Sequence, residues 1–387
     1  MSRYSQTDEE NIRTQALVRE WTRSGLLDES QKAGFEDDLR VDLRRTNHFL
    51  RAVVFVFTLL VTAASITLIA INLNIDGRGP AAVMCFVSAL VCYGLSEYLS
   101  SSFRVYRFGV EEALAASAVL LTAIGVIVIT DLIGQSSNAE WPFAVGLTAG
   151  AVGAYGVYRR FGYLYAALAS ILCVAALPFQ FRLSLAMERG LAATILLLAF
   201  LIVRPKRLAY GDDFPGDDYG VMQAFALAGL YLALNLQLTL LMGASDTGVF
   251  YWTTYALIWI IPVISLRLAL RDRDRPLLDV SLGMALATLV SNKPYLGLTQ
   301  QPWDPIVFGI FLVAVAIVTR RWLSNGPNGQ RYGFTSARIL FGDRRILILA
   351  GTASAALQPD IPGSASTPSK PEFGGGRSGG AGASGTF

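Results

Sequence analysis

The apolar run from Phe49 to Leu73 constrains the fold of this chain more than any other feature. The hydrocarbon core of a bilayer is about 30 Å thick and takes about 20 helical residues to cross, so a run of this length is typical of a membrane span. The chain is 53% hydrophobic and only 16% charged, a balance that a water-soluble domain rarely has. We therefore predict an all-α fold, a polytopic membrane helix bundle.

Apolar segments of similar length recur along the chain and predict about ten transmembrane helices. They cover residues 49–73, 80–99, 110–133, 141–158, 162–181, 186–203, 220–242, 249–270, 277–297 and 303–321. Within them, Gly146, Gly150 and Ala154 recur every four residues, a spacing that lets neighbouring helices approach closely inside a bundle.

Basic residues cluster at alternate ends of these segments. They are Arg40, Arg44, Arg45, Arg51, Arg104, Arg107, Arg159, Arg160, Arg204, Lys206, Arg207, Arg267, Arg271, Arg273, Arg275, Arg320 and Arg321. Short cytoplasmic loops are enriched in arginine and lysine, so these ends are predicted to face the cytoplasm. An even number of spans then places both ends of the chain in the cytoplasm.

The segments outside the bundle differ in character. Residues 1–48 predict a cytoplasmic amphipathic helical hairpin, with capping boxes at Thr7–Glu10 and at Asp28–Gln31. The bundle occupies 49–321, and 322–357 is predicted to be a cytoplasmic or juxtamembrane segment. Residues 358–387 are rich in glycine, serine and proline and are predicted to be disordered, because such a composition buries too little apolar surface.

A short internal repeat opens two of the predicted spans. Val105-Tyr106-Arg107-Phe108-Gly109 precedes the third, and Val157-Tyr158-Arg159-Arg160-Phe161-Gly162 precedes the fifth, with Ser117 and Ser170 each eight residues after the glycine. A duplicated helical hairpin explains this similarity. The alternative is chance, because aromatic and arginine residues favour the membrane interface in any case.

Carboxylates near span ends are one set of candidate site residues. Glu97 lies near the end of the second span, and Glu111 begins the third beside Glu112. Ionisable groups within a membrane are costly and therefore mark candidate binding sites or proton relays. The alternative is structural, since negative charge is favoured in the first turn of a helix and Arg104 and Arg107 are near in sequence.

Asn235 and Gln237 are the other candidate substrate-binding residues, within the seventh span. Two residues apart on a continuous helix, they project to opposite faces and do not by themselves define one site. Hydrogen bonds between helices are the alternative role for these amides.

The sequence shows no motif that indicates an enzymatic reaction or a cofactor. His48 is the single histidine, and Cys85, Cys92 and Cys173 lie in apolar runs without metal-ligand spacing. The acidic loop 211–218 matches no calcium-loop register. We predict no catalytic residue, no metal, no cofactor and no nucleic-acid partner.

Two stretches resemble known proteins. Leu17-Val18-Arg19-Glu20-Trp21 through Gly25-Leu26-Leu27, followed by Asp28 to Gln31, resembles a bacterial family of predicted membrane proteins of unknown function. That family has a short helical hairpin before a multi-span bundle. The ending Phe373-Gly374-Gly375-Gly376 through Ala383-Ser384-Gly385 is similar to the glycine-rich tails of some TPM-domain membrane proteins. The resemblance implies a multi-pass protein of the bacterial inner membrane and supplies no catalytic residue.

Two functions fit these observations. The first is a non-enzymatic envelope or scaffold protein that binds the lipid bilayer through its spans and a protein partner through its hairpin or tail. The alternative is a permease for a small solute, supported by the number of helices and by Asn235. The sequence predicts neither the substrate nor the oligomeric state.

Overall fold

The computed structural model describes residues 4–23, 26–44, 46–134, 140–211, 216–239, 248–298, 301, 303–326, 330–331 and 334–335. These residues belong to one structural unit that spans residues 1–341. The predicted disordered tail, 358–387, and most of the juxtamembrane segment, 322–357, lie outside the described residues.

Helices account for nearly all of the described regular structure, and they follow one another in a simple order. They are α1 Gln6–Arg23, α2 Glu29–Asp38, α3 His48–Asn72, α4 Arg78–Ser102, α5 Val110–Gly134, α6 Glu140–Phe161, α7 Leu164–Ala176, α8 Leu185–Tyr210, α9 Gly216–Leu234, α10 Leu236–Thr239, α11 Val249–Asp272, α12 Arg275–Tyr295 and α13 Asp304–Ser324. A 3₁₀ turn, Leu177–Gln180, extends α7. The predicted helical fold class is therefore confirmed.

Two short stretches of extended backbone accompany the helices. Strands β1, Gln330–Arg331, and β2, Phe334–Thr335, pair antiparallel after α13. A single parallel bridge also joins Arg44 to Val105. It attaches the segment between α2 and α3 to the connection between α4 and α5.

Five of the described helices are long and apolar enough to cross a membrane. They are α3, α4, α5, α8 and α11, over Phe49–Asn72, Arg78–Ser102, Val110–Ile133, Leu185–Tyr210 and Val249–Asp272. Leu164–Gln180 and Asp218–Leu234 are shorter apolar helices. Each of the ten predicted segments contains a helix, but the count of ten spans and the orientation of the chain remain predictions.

The start of α1 differs from the predicted capping box. The helix begins at Gln6, so Thr7 lies within it, and Ser5 Oγ accepts the backbone N–H of Asp8 at 3.4 Å. Ser5 therefore takes the capping role two residues earlier. At α2 the predicted capping box is confirmed: the side chain of Asp28 accepts the backbone N–H of Gln31, and the side chain of Gln31 accepts the backbone N–H of Asp28 at 3.0 Å.

Small residues on α6 let it pack closely against α5. A methyl group added at Gly146 would collide with Ile127, and one added at Gly150 would touch Ala123 at 3.6 Å. Ala154, on the same face, is buried. This stripe serves packing inside the bundle, as the spacing predicts.

A second packed core lies among α8, α9, α11 and α12. Its members include Leu196, Phe200, Leu227, Ile258 and Met284. Because side chains from all four helices meet there, this core fixes the positions of α9 and α12, which carry the polar network described below.

Helix α3 packs differently from the others, since no residue in its apolar window is buried. Its first two turns nevertheless approach α5 closely. Gly109, with φ of +112°, precedes α5, and a methyl group there would lie 2.5 Å from the carbonyl oxygen of Arg51. The glycine is required both by its backbone conformation and by this contact.

Candidate functional site

One charged and largely buried region lies where α1 meets the connections α4–α5 and α6–α7. We name it the hairpin junction and define it as Tyr4, Glu9, Tyr106, Arg107 and Gly162. Glu9 Oε1 accepts the hydroxyl of Tyr106 at 3.2 Å and lies 4.0 Å from the guanidinium of Arg107. Arg107 also donates to the carbonyl of Gly162 at 3.3 Å. Helix α1 is therefore held by two connections of the bundle at once.

Tyr4 strengthens this attachment. Its hydroxyl donates to the carbonyl of Val105 at 3.0 Å, and its ring meets that of Tyr106 edge to face at 4.8 Å between centroids. The backbone N–H of Arg44 donates to Arg104 O, and that of Tyr106 donates to Arg44 O, both at 3.0 Å. Tyr4 and Arg44, which both precede α3, therefore bond to the α4–α5 connection.

Burial changes the chemistry of Glu9. Its side chain is only 4% exposed, and loss of solvation raises its pKa to about 7, although Arg107 and Tyr106 oppose that rise. Burial likewise raises the pKa of Tyr106, which therefore remains a hydrogen-bond donor. Glu9 consequently exchanges its proton close to physiological pH.

Glu111 and Glu112 lie in the first turn of α5 and have different partners. Glu112 forms a two-point ion pair with Arg51 of α3, with Arg51 Nε donating to Oε2 at 2.7 Å. Glu111 Oε1 accepts the backbone N–H of Phe108 at 2.7 Å. This backbone contact caps α5, and the placement of both carboxylates in its first turn agrees with their predicted structural role.

The arginines expected to serve these carboxylates have other partners. Arg104 pairs with Asp42, and Arg107 faces Glu9, whereas Arg51 is the partner of Glu112. The expectation based on nearness in sequence was therefore wrong. Arg51 comes close because Gly109 allows α3 to contact the start of α5.

Glu97, on α4, pairs with Arg160 of α6, through Arg160 Nε at 3.2 Å and through Nη2. Arg160 belongs to the second copy of the internal repeat. The side chains are 28% and 39% exposed, so the pair is accessible to water and contributes only about 0–1 kcal/mol. It connects two helices at the same end as Glu111.

Asn235 lies at a break between α9 and α10. Its Nδ2 donates to Tyr231 OH at 2.8 Å and to Ser291 Oγ at 2.9 Å, while Oδ1 accepts the N–H of Leu238 at 3.1 Å. Tyr231 OH shares a further hydrogen bond with Thr288 Oγ1 at 2.9 Å. These buried contacts join α9 to α12.

Tyr295 accounts for the break. Its hydroxyl accepts the backbone N–H of Leu236 at 2.8 Å, a donor that would otherwise bond within the helix. Its carbonyl accepts the hydroxyl of Tyr251 at 2.8 Å, and Tyr251 in turn accepts Gln237 Nε2 at 3.0 Å. We name Tyr231, Asn235, Thr288, Ser291 and Tyr295 the Asn235 network.

The break changes the relation between the two predicted amides. On a continuous helix Asn235 and Gln237 would face opposite ways, but here both side chains bond towards α11 and α12: Asn235 donates to Ser291 of α12, and Gln237 is linked through Tyr251 of α11 to the carbonyl of Tyr295. The interhelical role considered for Asn235 is confirmed by its bond to Ser291. Binding of a substrate by either amide remains a prediction.

The four predicted site residues do not form one site. Glu97 and Glu111 lie at neighbouring positions of α4 and α5, linked by the bond from Ser96 Oγ to the carbonyl of Glu111 at 2.8 Å. Asn235 and Gln237 belong to the core of α9, α11 and α12. No sequence pattern marks Tyr4 or Glu9 as buried, because a tyrosine before an amphipathic helix and an acidic pair within it are ordinary surface residues.

The described part of the chain offers few side chains that could bind a metal or a cofactor. No group of three or more histidine, cysteine, aspartate or glutamate side chains there is arranged to hold a metal ion. Cys85, Cys92 and Cys173 are free thiols.

Comparisons with protein-family profiles, curated proteins and solved structures gave no match.

Proposed function

We propose that this chain is a multi-pass integral membrane protein whose bundle holds a helical hairpin in a fixed position and presents it to a protein partner. The proposal includes ten spans, both chain ends in the cytoplasm and a bacterial inner membrane, in line with the arginine distribution and with the resemblance of the hairpin to bacterial membrane proteins. Five helices suited to crossing a membrane support the membrane setting.

One observation carries the proposal: the two helices of the hairpin are used differently. Helix α1 buries Glu9 and Val18, and Tyr4 just before it is also buried, whereas the described residues of α2 include no buried one. Phe35 on α2 and Leu26 before it are 44% and 60% exposed. A firmly attached helix beside an accessible one that exposes Phe35 is typical of a recognition surface on a rigid support.

The proposed role is non-enzymatic. The ion pair of Arg51 with Glu112 connects two helices and neutralises both charges. Glu97 is paired with Arg160 in the same structural manner. These carboxylates support the architecture.

Photo-crosslinking in intact membranes tests the proposal. A photoreactive phenylalanine analogue at Phe35 is expected to give one discrete protein adduct, which Leu26→Ser abolishes. The analogue at Phe143, an equally exposed aromatic position on α6, is the matched control and should give no such adduct. Absence of an adduct at Phe35, or recovery of the same partners after deletion of residues 1–38, contradicts the proposal.

The orientation has its own test. A reporter that fluoresces only in the cytosol, fused after the last residue, is expected to fluoresce. An intact, expressed and dark fusion contradicts the N-in/C-in arrangement.

The second candidate function is a permease for a small solute, favoured by the break at Asn235. Interrupted helices at membrane depth are tolerated where protein or a cavity satisfies the backbone, and transporters use them to build binding sites. Uptake into proteoliposomes is expected to fall in Asn235→Leu if the network binds the solute. Uptake that is unchanged in Asn235→Leu and Glu97→Gln, with both variants folded, counts against this function.

A further inference from the structure

Helix α11 has two different faces along its length. One face is buried in the core shared with α8, α9 and α12, and it carries Tyr251, Thr254, Ile258, Pro262, Ser265 and Ala269. The opposite face is exposed and apolar, and Ile260, Val263 and Ile264 on it are 48%, 66% and 53% exposed. We name these three residues the α11 apolar stripe. In the proposed membrane setting, the stripe contacts lipid.

Two arginines continue the same face toward the end of the helix. Arg267 follows Ile264 by three residues, Arg271 follows Arg267 by four, and both arginines are exposed. Spacings of three and four residues keep side chains on one side of a helix, so these two extend the α11 apolar stripe. We name Arg267 and Arg271 the α11 arginine pair. Along the helix axis, the pair begins only about 5 Å beyond the last residue of the stripe.

The carboxylates next to the pair in sequence have other partners. Asp272 accepts a hydrogen bond from Arg204 of α8 at 2.7 Å, and its side chain is only 9% exposed. Asp274, whose side chain is 1% exposed, lies 3.7 Å from Nε of Arg207, also on α8. Among the residues that the structure describes, no carboxylate lies within ion-pair distance of either member of the α11 arginine pair. The aspartates therefore face the bundle, and the pair faces out of it without a counter-charge.

Two structural roles do not account for the pair. The helix dipole stabilises a cation in the last turn of a helix, which fits Arg271. Arg267 lies before that turn, where the effect has faded. Pairing with an aspartate, which fixes the arginines of α8, involves neither member of the pair. Guanidinium groups at the edge of an apolar face are instead suited to a phosphate, which their planar N–H donors match in shape and charge.

The position of the pair favours a lipid over a soluble anion. An anionic phospholipid places its phosphate at the level of the headgroups and its acyl chains in the hydrocarbon core, so one molecule matches both the arginines and the α11 apolar stripe. A zwitterionic lipid carries no net charge and gains less from the same contacts. Basic residues beside a span attract anionic lipids, and each contributes about five- to sixfold in affinity.

We propose that the α11 arginine pair binds the phosphate of an anionic phospholipid, with the acyl chains of that lipid along the α11 apolar stripe. The guanidinium groups donate to the phosphate oxygens and supply the counter-charge that the protein does not. The inference rests on the membrane setting of the proposed function and is independent of whether the hairpin recruits a partner.

Native mass spectrometry of the purified full-length protein in a neutral detergent measures the dissociation constant of each added lipid. The wild type is expected to bind phosphatidylglycerol about thirtyfold more tightly than phosphatidylcholine with the same acyl chains, because two arginines contribute. The double variant Arg267→Gln/Arg271→Gln should lose this preference. Arg19→Gln/Arg23→Gln removes the same charge at the same spacing from α1, outside the predicted spans, and is the control that retains the preference.

Three results would overturn the lipid site. Equal dissociation constants of the wild type for the two lipids refute it. An undiminished preference in the α11 double variant, or an equal loss in the α1 control, refutes the assignment to the α11 arginine pair. Displacement of phosphatidylglycerol by millimolar inorganic phosphate would make the occupant a soluble anion and refute the lipid.

Two further outcomes remain informative. If the α11 double variant does not fold, Arg271→Gln alone is expected to bind phosphatidylglycerol about fivefold more weakly, and an unchanged dissociation constant refutes the proposal. A protein found outside the membrane fraction of cells contradicts the proposed function and this inference together. A membrane-bound protein without a lipid preference refutes this inference alone.

Discussion

Replacing Glu9 with glutamine is expected to strengthen the attachment of α1 at neutral pH. Burial raises the pKa of Glu9 from 4.5 to about 7; Arg107 and Tyr106 act against this rise, while Asp218 and Asp8 add to it. A pKa change of this size corresponds to about 3 kcal/mol that attachment loses once Glu9 is ionised. The amide of glutamine carries no charge and retains the contact with Tyr106, so the variant avoids that loss.

The direction of the pH dependence follows from the raised pKa. The attached hairpin binds the Glu9 proton more tightly than the detached hairpin does, so attachment is strongest below pH 4.5. It weakens as the pH rises from 4.5 to about 7 and changes little above that value. In Glu9→Gln this contribution to the pH dependence is absent.

Hydrogen–deuterium exchange of the amides of α1 measures the effect. The ratio of the wild-type rate to the Glu9→Gln rate at each pH cancels the intrinsic pH dependence of exchange. Between about pH 5 and about pH 8 this ratio is expected to rise by up to about two orders of magnitude. Glu10→Gln, an accessible carboxylate on the same helix that pairs with Arg13, is the control and should give a flat ratio. A flat ratio for Glu9→Gln as well refutes the role of its buried carboxylate.

Three further predictions concern the bundle. Gly109→Ala places a methyl group against the backbone of Arg51 at a positive φ and is expected to lower stability by about 3 kcal/mol or more, measured as a lower Tm. Gly94→Ala, where a methyl group would meet open space, should be neutral or stabilising, and equal effects of the two substitutions would contradict the close approach of α3. Glu112→Leu leaves Arg51 without its partner and should lower the free energy of unfolding by about 3–5 kcal/mol. Adding Arg51→Met should restore part of that stability, and no recovery would argue against the pair. Asn235→Leu removes three side-chain hydrogen bonds, to Tyr231, Ser291 and the N–H of Leu238, and should lower stability by about 1–3 kcal/mol in a denaturation assay. An unchanged midpoint would show that the network contributes nothing.

The positions of the helices were largely predictable because they depend on local properties. Length and apolar content place a helix in each of the ten segments, and the spacing of Gly146 and Gly150 indicates the face that packs on α5. The 3₁₀ turn at Pro178 is also local, since proline cannot continue the hydrogen-bond ladder of α7.

The candidate sites were less predictable because their contacts join distant parts of the chain. Glu9 and Tyr106 are separated by 97 residues, and Arg51 and Glu112 by 61. Sequence proximity favoured Arg104 and Arg107 as partners for Glu111 and Glu112, whereas the fold brings Arg51 instead. No pattern in a single sequence gives such pairings.

The break at Asn235 shows the same difficulty. Neither proline nor glycine interrupts the chain there, so helical periodicity predicts a continuous span. The interruption is stabilised by Tyr295, which lies 59 residues away and accepts the N–H of Leu236. Local propensity favours a continuous helix, but the hydrogen bond from Leu236 to the distant Tyr295 hydroxyl stabilises the break.

The one-ended attachment of α3 has a consequence for the tolerance of this helix to substitution. Its contacts lie at Arg51, which pairs with Glu112, and at Phe55, whose ring lies 6.3 Å from that of Tyr165, while its apolar window buries nothing. A saturation library should therefore show a gradient along the helix. Positions 51 and 55 should retain few alternatives, and those beyond Phe57 should accept a wider range of apolar side chains, because that part of α3 is half-buried or exposed and a membrane selects it for apolar character more than for shape.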